Sequence, residues 1–180
     1  MRNPFQFLPT ILCGVGVALS LAAAEEPAAE TGEDGPVFGA WKIHCESVVS
    51  CQAYVNLAEV DTNQLALTAS FHFVKGASGP TGVITLPLGV ALKPGVRIRT
   101  ESEAEPIKLE PEVCYPDGCR VVLNPTDEQL AILSDVEKFS VVFFAYGNKG
   151  RSRSIDVPTD GLDEALDYLA KQIALEEESQ

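Results

Sequence analysis

Four cysteines are the side chains whose type and spacing point most directly to chemistry: Cys45, Cys51, Cys114 and Cys119. An even number of cysteines in an exported chain favours disulfide bonds, and four cysteines allow three pairings. The short separations favour Cys45 with Cys51 and Cys114 with Cys119, and the second pair brackets the turn sequence Tyr-Pro-Asp-Gly at 115–118. The alternative is a four-thiolate zinc site, but zinc ligands usually follow C-x2-C or similar spacings. The sequence therefore predicts two local disulfides and no metal.

Catalytic chemistry has little support in the sequence. The two histidines, His44 and His72, are expected on polar strand positions rather than beside a nucleophile and an acid. The segment Gly-Ala-Ser-Gly-Pro at 76–80 comes close to G-x-S-x-G but lacks the closing glycine. The chain contains no phosphate-binding loop, dinucleotide fingerprint or H-E-x-x-H motif. We therefore predict no catalytic residue and no cofactor.

Arginines form a second pattern, because two pairs of them recur at strand spacing and each pair projects from one face of its strand. The members of this candidate binding patch are Arg97, Arg99, Arg120, Arg151 and Arg153. If their strands are neighbours, the patch would bind an anionic glycan, lipid headgroup or protein. The alternative, which we favour, is cross-strand salt bridging to Glu101, Glu103 or Glu105. Arg151 and Arg153 share strand parity with Ile155 and Val157, which indicates a twist, a bulge or a sheet edge.

The N-terminal segment is typical of a secretory signal peptide. Residues 1–10 carry one basic side chain, Arg2, and residues 11–24 are uncharged. This apolar run is shorter than the roughly 18 residues that a membrane-spanning helix needs. It ends in Ala22-Ala23-Ala24, a small-x-small cleavage pattern, so we expect cleavage after Ala24 and no membrane span afterwards. An uncleaved anchor helix is the alternative.

Charge and composition limit the classes of partner that the exported chain can bind. The 180 residues include 26 acidic and 13 basic side chains, a net charge of -13. Cleavage removes Arg2, so the mature charge is 12 minus 26, or -14. This charge argues against nucleic acid or anionic lipid as a general partner. Residues 25–36 carry five acids and no large apolar side chain, so we expect a disordered leader there, one domain over 37–175 and an acidic tail at 176–180.

Period-two alternation of apolar and polar side chains predicts an all-β domain. The clearest stripe covers residues 65–73, and similar patterns cover 41–45 and 51–57. Further strands are expected at 82–86, 96–100, 107–109, 119–123, 139–146 and 151–157, with a hairpin loop at 147–150. About nine short strands separated by turns indicate an antiparallel sandwich or barrel.

Two helices interrupt this pattern. The sequence Thr-Asp-Glu-Gln at 126–129 is a capping box, which predicts a short helix with Leu130 and Leu133 pointing inward. A longer amphipathic helix is expected over 161–176. Its apolar stripe consists of Leu162, Ala165, Leu166, Leu169 and Ile173. Acidic side chains on this helix would repel anionic headgroups, so we expect the stripe to pack on the β-domain.

A series of short motifs runs through residues 37–172 in a specific order. They are Phe38-Gly39-Ala40-Trp41, Cys45 and Cys51, Leu-Pro-Leu-Gly-Val-Ala-Leu-Lys-Pro-Gly-Val at 86–96, Cys-Tyr-Pro-Asp-Gly-Cys at 114–119, Ile-Asp-Val-Pro at 155–158, and Gly161-Leu162 before Ala165-Leu166. In these motifs the chain resembles the invasion-associated locus B (IalB) family of exported bacterial proteins. The family usually has Gly-Asp-Trp at the first motif and often Gly-Phe at the last. The resemblance implies an immunoglobulin-like β-sandwich in the Gram-negative periplasm or envelope, a role in host-cell invasion or envelope interaction, and no established catalytic position.

These observations predict an exported, non-enzymatic interaction protein in the periplasm, at the outer membrane or outside the cell. Its expected partner is an envelope or host component, an anionic one if the arginines form a patch. The alternative is a periplasmic ligand-binding or hydrolytic protein with a site that the sequence does not reveal. A third hypothesis is a protein that assists the folding or assembly of other proteins by presenting the edge of a β-strand to them. A deep pocket with convergent polar groups would favour the second function.

Overall fold

The described residues form two antiparallel β-sheets and two helices. The structure is a computed structural model that describes residues 33–47, 50–61, 63–101, 105–146 and 151–177. The predicted signal peptide at 1–24, the leader up to residue 32, the hairpin loop at 147–150 and the last residues of the tail, 178–180, lie outside the described residues.

Seven strands form one sheet and four form the other. In chain order the elements are β1 (Glu33–Phe38), β2 (Trp41–Ser47), β3 (Ser50–Ala58), β4 (Leu65–Phe73), β5 (Pro80–Leu86), β6 (Val96–Arg99), β7 (Ile107–Leu109), β8 (Pro111–Tyr115), β9 (Gly118–Leu123), α1 (Asp127–Asp135), β10 (Lys138–Phe144), β11 (Ser152–Pro158) and α2 (Leu162–Glu177). The larger sheet has the order β1-β2-β3-β4-β5-β9-β8, and the smaller has β11-β10-β6-β7. The first five strands are consecutive antiparallel neighbours, so sequence order alone places them side by side.

Side-chain alternation correctly identified most of these strands. β4 and β7 coincide with the predicted ranges, and the other predicted strands begin and end within two residues of the observed bounds. In β5 every second residue, from Pro80 to Leu86, is buried. This pattern arises because one face of the sheet lies on the core while the other meets solvent. The prediction of an antiparallel β-sandwich with a C-terminal helix is therefore confirmed.

The strand β1 begins inside the segment that was expected to be a disordered leader. It pairs with β2, with Glu33 opposite Cys45 and Phe38 opposite Trp41. Antiparallel pairing needs backbone groups rather than apolar side chains, so composition gives no sign of it. Gly35 lets the backbone approach closely, because a Cβ atom there would lie 2.9 Å from the Cβ atom of Ile43. The structure therefore moves the start of the domain from residue 37 to Glu33.

The strand β8 was also missed, at the opposite edge of the larger sheet. Its side chains are half-buried at Pro111 and exposed from Glu112 to Tyr115, so no alternation marks it. A proline is tolerated here because an edge strand leaves one row of N–H groups unpaired. β8 is held by its pairing with β9 through the hairpin turn at 116–117.

The helix α2 packs on the larger sheet and completes the core. It packs against β1 to β4, and its Leu162, Ala165 and Leu169 are at most 1% exposed. These side chains belong to the same core as Trp41 and Phe71 of the larger sheet. Burial of each leucine contributes about 2 kcal/mol. Within the described residues, neither helix is long and apolar enough to cross a membrane.

The helix α1 carries the chain from the larger sheet to the smaller. The predicted capping box forms: the backbone N–H of Gln129 donates to the Thr126 hydroxyl at 3.2 Å, and the Thr126 N–H donates to the Gln129 side chain at 3.0 Å. Leu133 is fully buried, and Leu130 packs on the core from a half-buried position. Both leucines therefore point inward as expected.

Candidate functional site

The cysteines form the two local disulfides expected from their spacing. Cys45 bonds to Cys51 with a Cα–Cα distance of 4.0 Å, and Cys114 bonds to Cys119 with 3.9 Å. Each bond joins directly opposite residues of one hairpin, β2–β3 or β8–β9. Strands β4 and β5 separate the two hairpins, so the four sulfurs do not converge on one metal position. The disulfides are therefore cross-strand ties near the two sides of the larger sheet.

The arginines of the candidate patch lie on different surfaces. Arg97 and Arg99 point away from the core on the smaller sheet, flanking Ile98, which is 1% exposed. Arg120 lies on the outer face of the larger sheet, opposite Thr85 of β5. Arg153, on an edge strand, forms an ion pair with Glu59 in the β3–β4 loop. Arg151 is exposed just before β11. The structure therefore does not bring these five side chains together.

The salt bridges that we favoured for these arginines, to Glu101, Glu103 or Glu105, also differ from those observed, which join Arg120 to Asp117 and Arg153 to Glu59. Arg97 lies opposite Lys108 and Val142, and Arg99 lies opposite Ser140. Among the described residues, no ion pair joins either arginine to Glu101 or Glu105, and Glu103 lies outside them. The reason is register: residues 101 and 105 belong to the connection after β6 rather than to a facing strand position.

Polar side chains instead converge on the outer face of the larger sheet, which we call the polar face. This face contains a concavity of about 590 Å³ that is open to solvent and extends over strands β2, β3, β4, β5 and β9. One cross-strand row places His44 opposite Gln52 and Gln52 opposite His72. A second row runs from Asn56 through Thr68 and Thr85 to Arg120. Tyr54 lies between the rows on the same strand as Gln52 and Asn56.

Hydrogen bonds between neighbouring side chains order one end of the polar face. The Thr68 hydroxyl donates to Asn56 Oδ1 at 2.7 Å. Arg120 donates to the Thr85 hydroxyl at 3.0 Å and to Asp117 Oδ2 at 2.6 Å. The Arg120 guanidinium also lies 5.7 Å from the centre of the Tyr115 ring, within the range of a cation–π contact. These contacts hold Arg120 in one place and neutralise its charge locally.

The two histidines lie at the other end of the polar face, on either side of Gln52. A second concavity of about 250 Å³ adjoins them and is lined in addition by Glu46 and Phe73. Partial burial lowers the pKa of His72 below the usual value for an imidazole. The neutral form of His72, which carries one donor and one acceptor, is therefore favoured on this surface.

The hydroxyl groups of Ser70 and Thr68 on the polar face donate hydrogen bonds away from the histidines. Ser70 Oγ donates to the carbonyl oxygen of Val83 at 3.4 Å, and Thr68 donates to Asn56. Among the described residues, no hydroxyl on this face hydrogen-bonds to His44 or His72, so no nucleophile–base pair is assembled there. The arrangement offers many hydrogen-bonding groups over a broad surface, which suits recognition of a polar ligand.

Sequence reasoning placed the histidines on polar strand faces but did not bring them together. Alternation tells which face a residue occupies, whereas the register between strands tells which residues are neighbours. The available signal was the run of polar residues at alternate positions of β3, namely Gln52, Tyr54 and Asn56.

Comparison with known proteins supports the resemblance seen in the motifs. The family model described as invasion associated locus B (IalB) protein matches residues 41–170. The chain belongs to the IalB family. The crystal structure of invasion associated protein B from Bartonella henselae has the same fold, with a TM-score of 0.67 and 19% sequence identity. That match covers 79% of this chain and 97% of the Bartonella chain. A search of curated proteins found no match.

Two of the motifs that carry the IalB resemblance meet in space. The β1–β2 turn contains Gly39 and the connection into α2 contains Gly161, with φ angles of +51° and +82°. The Ala40 N–H donates to the carbonyl oxygen of Asp160 at 3.0 Å. A Cβ atom at position 161 would lie 2.1 Å from the carbonyl oxygen of Phe38. These IalB motifs therefore form a structural clasp between the larger sheet and α2, away from the polar face.

Proposed function

We propose that this IalB-family protein is an exported, non-enzymatic interaction protein of the bacterial envelope or cell exterior, and that its polar face is the surface that binds its partner. The observation that carries the proposal is the concavity of about 590 Å³, which has the size of ligand-binding sites, about 300–1,000 Å³. Its lining side chains are arranged by register and by mutual hydrogen bonds, so the surface is ordered before a partner arrives.

Export is supported by the two disulfides and by the predicted signal peptide. Disulfides persist in oxidising compartments such as the periplasm and the cell exterior. The test is N-terminal sequencing of the protein recovered from cells and from the culture medium. We expect mature protein that begins at Glu25, within a residue or two, in the periplasmic or secreted fraction. Recovery of intact Met1 in an integral membrane fraction would overturn this part of the proposal.

The binding surface is tested with two matched substitutions. Thr68→Arg places a long charged side chain on the polar face, and Ser154→Arg makes the same kind of change at an exposed position of β11. Both variants and the wild type are measured for binding to isolated outer membranes, peptidoglycan and host-cell surfaces. We expect Thr68→Arg to lose binding that Ser154→Arg retains, with both variants folded by circular dichroism. Equal binding by all three proteins would show that the polar face is not the interaction surface.

A further inference from the structure

We infer that the polar face binds an uncharged oligosaccharide. This inference rests on the proposed function, because it names the chemical class of the partner at the same surface. It depends on three properties of the described residues: the charge of the concavity, the hydrogen-bonding groups that line it, and the aromatic ring at its centre.

The charge of the concavity argues against an ionic ligand. In a chain with a net charge of -13, the two charged side chains that line the larger concavity are Asp117 and Arg120, and they form an ion pair at 2.6 Å. The adjoining smaller concavity adds only Glu46 to the charged residues. The side chains that line the two concavities therefore offer an anionic ligand no uncompensated cation. The exposed Lys42 lies beside them, opposite Tyr54 on β2, but the negative charge of the whole protein outweighs this single cation and repels an anion. A neutral polar ligand meets neither obstacle.

The hydrogen-bonding groups suit the hydroxyls of a sugar. Because Asn56 Oδ1 accepts from Thr68, the amide nitrogen of Asn56 is left to donate outward. Because the Thr85 hydroxyl accepts from Arg120, its own hydrogen is available to an acceptor on a ligand. Gln52 adds a second amide between the two imidazoles. Sugar hydroxyls both donate and accept, so closely spaced amides, hydroxyls and imidazoles can pair with them.

The aromatic ring lies where a sugar ring would need it. Tyr54 is half-buried in the middle of β3, with Gln52 and Asn56 two residues away on the same face and Ser70 opposite on β4. A pyranose has an apolar C–H face and a rim of hydroxyls, which match a flat amphipathic ring bordered by amides. From β2 to β9 the face crosses four inter-strand steps of about 4.8 Å each, or about 19 Å. This length accommodates several sugar rings in a row.

The test is isothermal titration calorimetry of the mature protein with hexasaccharides of glucose, mannose, galactose and N-acetylglucosamine, and with a sulfated hexasaccharide as the anionic probe. We expect at least one neutral probe to bind, with a dissociation constant that changes little between low and high salt, because no net charge is paired on binding. Tyr54→Ala should weaken that binding by about tenfold or more. Phe144→Ala, which removes a half-buried ring from the outer face of the smaller sheet, should bind like the wild type.

A second variant guards against loss of folding. Thr85→Val keeps a β-branched side chain and removes the hydroxyl, so it should weaken neutral-glycan binding several-fold. The denaturant midpoint should fall only slightly, because one hydrogen bond from Arg120 is lost while the fold is kept. Absence of binding to every neutral probe overturns the inference. Salt-sensitive binding of the sulfated probe alone also overturns it. In both cases loss of envelope binding in Thr68→Arg would still support the polar face as the interaction surface, so the two proposals can fail separately.

Discussion

The indole of Trp41 donates a hydrogen bond from Nε1 to the carbonyl oxygen of Pro158 at 3.1 Å. This bond joins the start of β2 in the larger sheet to the end of β11 in the smaller sheet, across 117 residues of sequence. Trp41 is fully buried, and its ring lies 5.6 Å from that of Phe71. The two sheets are therefore tied at one end by a side chain that also fills the core.

We expect Trp41→Phe to lower the free energy of unfolding by about 2 kcal/mol, because it removes one hydrogen bond and leaves unfilled volume in the core. Urea denaturation followed by circular dichroism measures this change. Tyr54→Phe, a change on the polar face, is the control and should alter stability little. An unchanged midpoint in Trp41→Phe would show that the contact between Trp41 and Pro158 does not stabilise the sandwich.

The clasp at Gly161 should tolerate no side chain. In Gly161→Ala the new Cβ atom would meet the carbonyl oxygen of Phe38 at 2.1 Å in addition to the strain of a positive φ, so we expect a loss of at least about 3 kcal/mol. Gly76→Ala separates the two causes, since Gly76 has a φ of +84° and nothing within 4 Å. That variant should lose only about 1 kcal/mol. Equal losses would show that the close approach to Phe38 relaxes.

Each disulfide closes a small loop, so each should contribute modestly to stability. The chain-entropy model gives about 2 kcal/mol for loops of this length. We expect the double variants Cys45→Ala/Cys51→Ala and Cys114→Ala/Cys119→Ala to fold with β-structure retained and with a lower denaturant midpoint. Mass spectrometry of a non-reduced digest of the wild type should link Cys45 to Cys51 and Cys114 to Cys119. Crossed linkage between the two pairs would contradict the observed sheet order.

Stability should depend on pH through His72. Burial lowers the pKa of this imidazole in the folded chain. Between that lowered pKa and the pKa of the unfolded chain, about 6.5, the unfolded chain therefore binds more protons than the folded chain. The free energy of unfolding should therefore fall as the pH drops through that value and level off below the folded pKa. In His72→Gln this contribution to the slope should disappear, whereas His44→Gln keeps His72 and should retain it. Denaturant melts across this pH range provide the measurement, and an unchanged slope in His72→Gln would refute the assignment.

Local features of this protein were determined by the sequence alone. Alternation in residues 65–73 specified β4, because successive side chains of a strand face the core and the solvent in turn. This pattern can be seen within the strand itself, without knowledge of its neighbours in the sheet. The Thr126–Gln129 capping box specified the start of α1 because all its partners lie within four residues. The disulfides followed for the same reason, since each joins the two sides of one hairpin.

Only the tertiary structure decided which distant residues became neighbours. β1 and β8 were invisible in the sequence because edge strands are held by backbone pairing and need no apolar stripe. The arginine pairs lie apart because β10 separates β6 from β11 and because Arg153 forms an ion pair with Glu59. His44 and His72 came to flank Gln52 because register across three strands aligned them. Register depends on how strands that are distant in sequence pair with each other. The sequence of a single strand therefore does not contain this information.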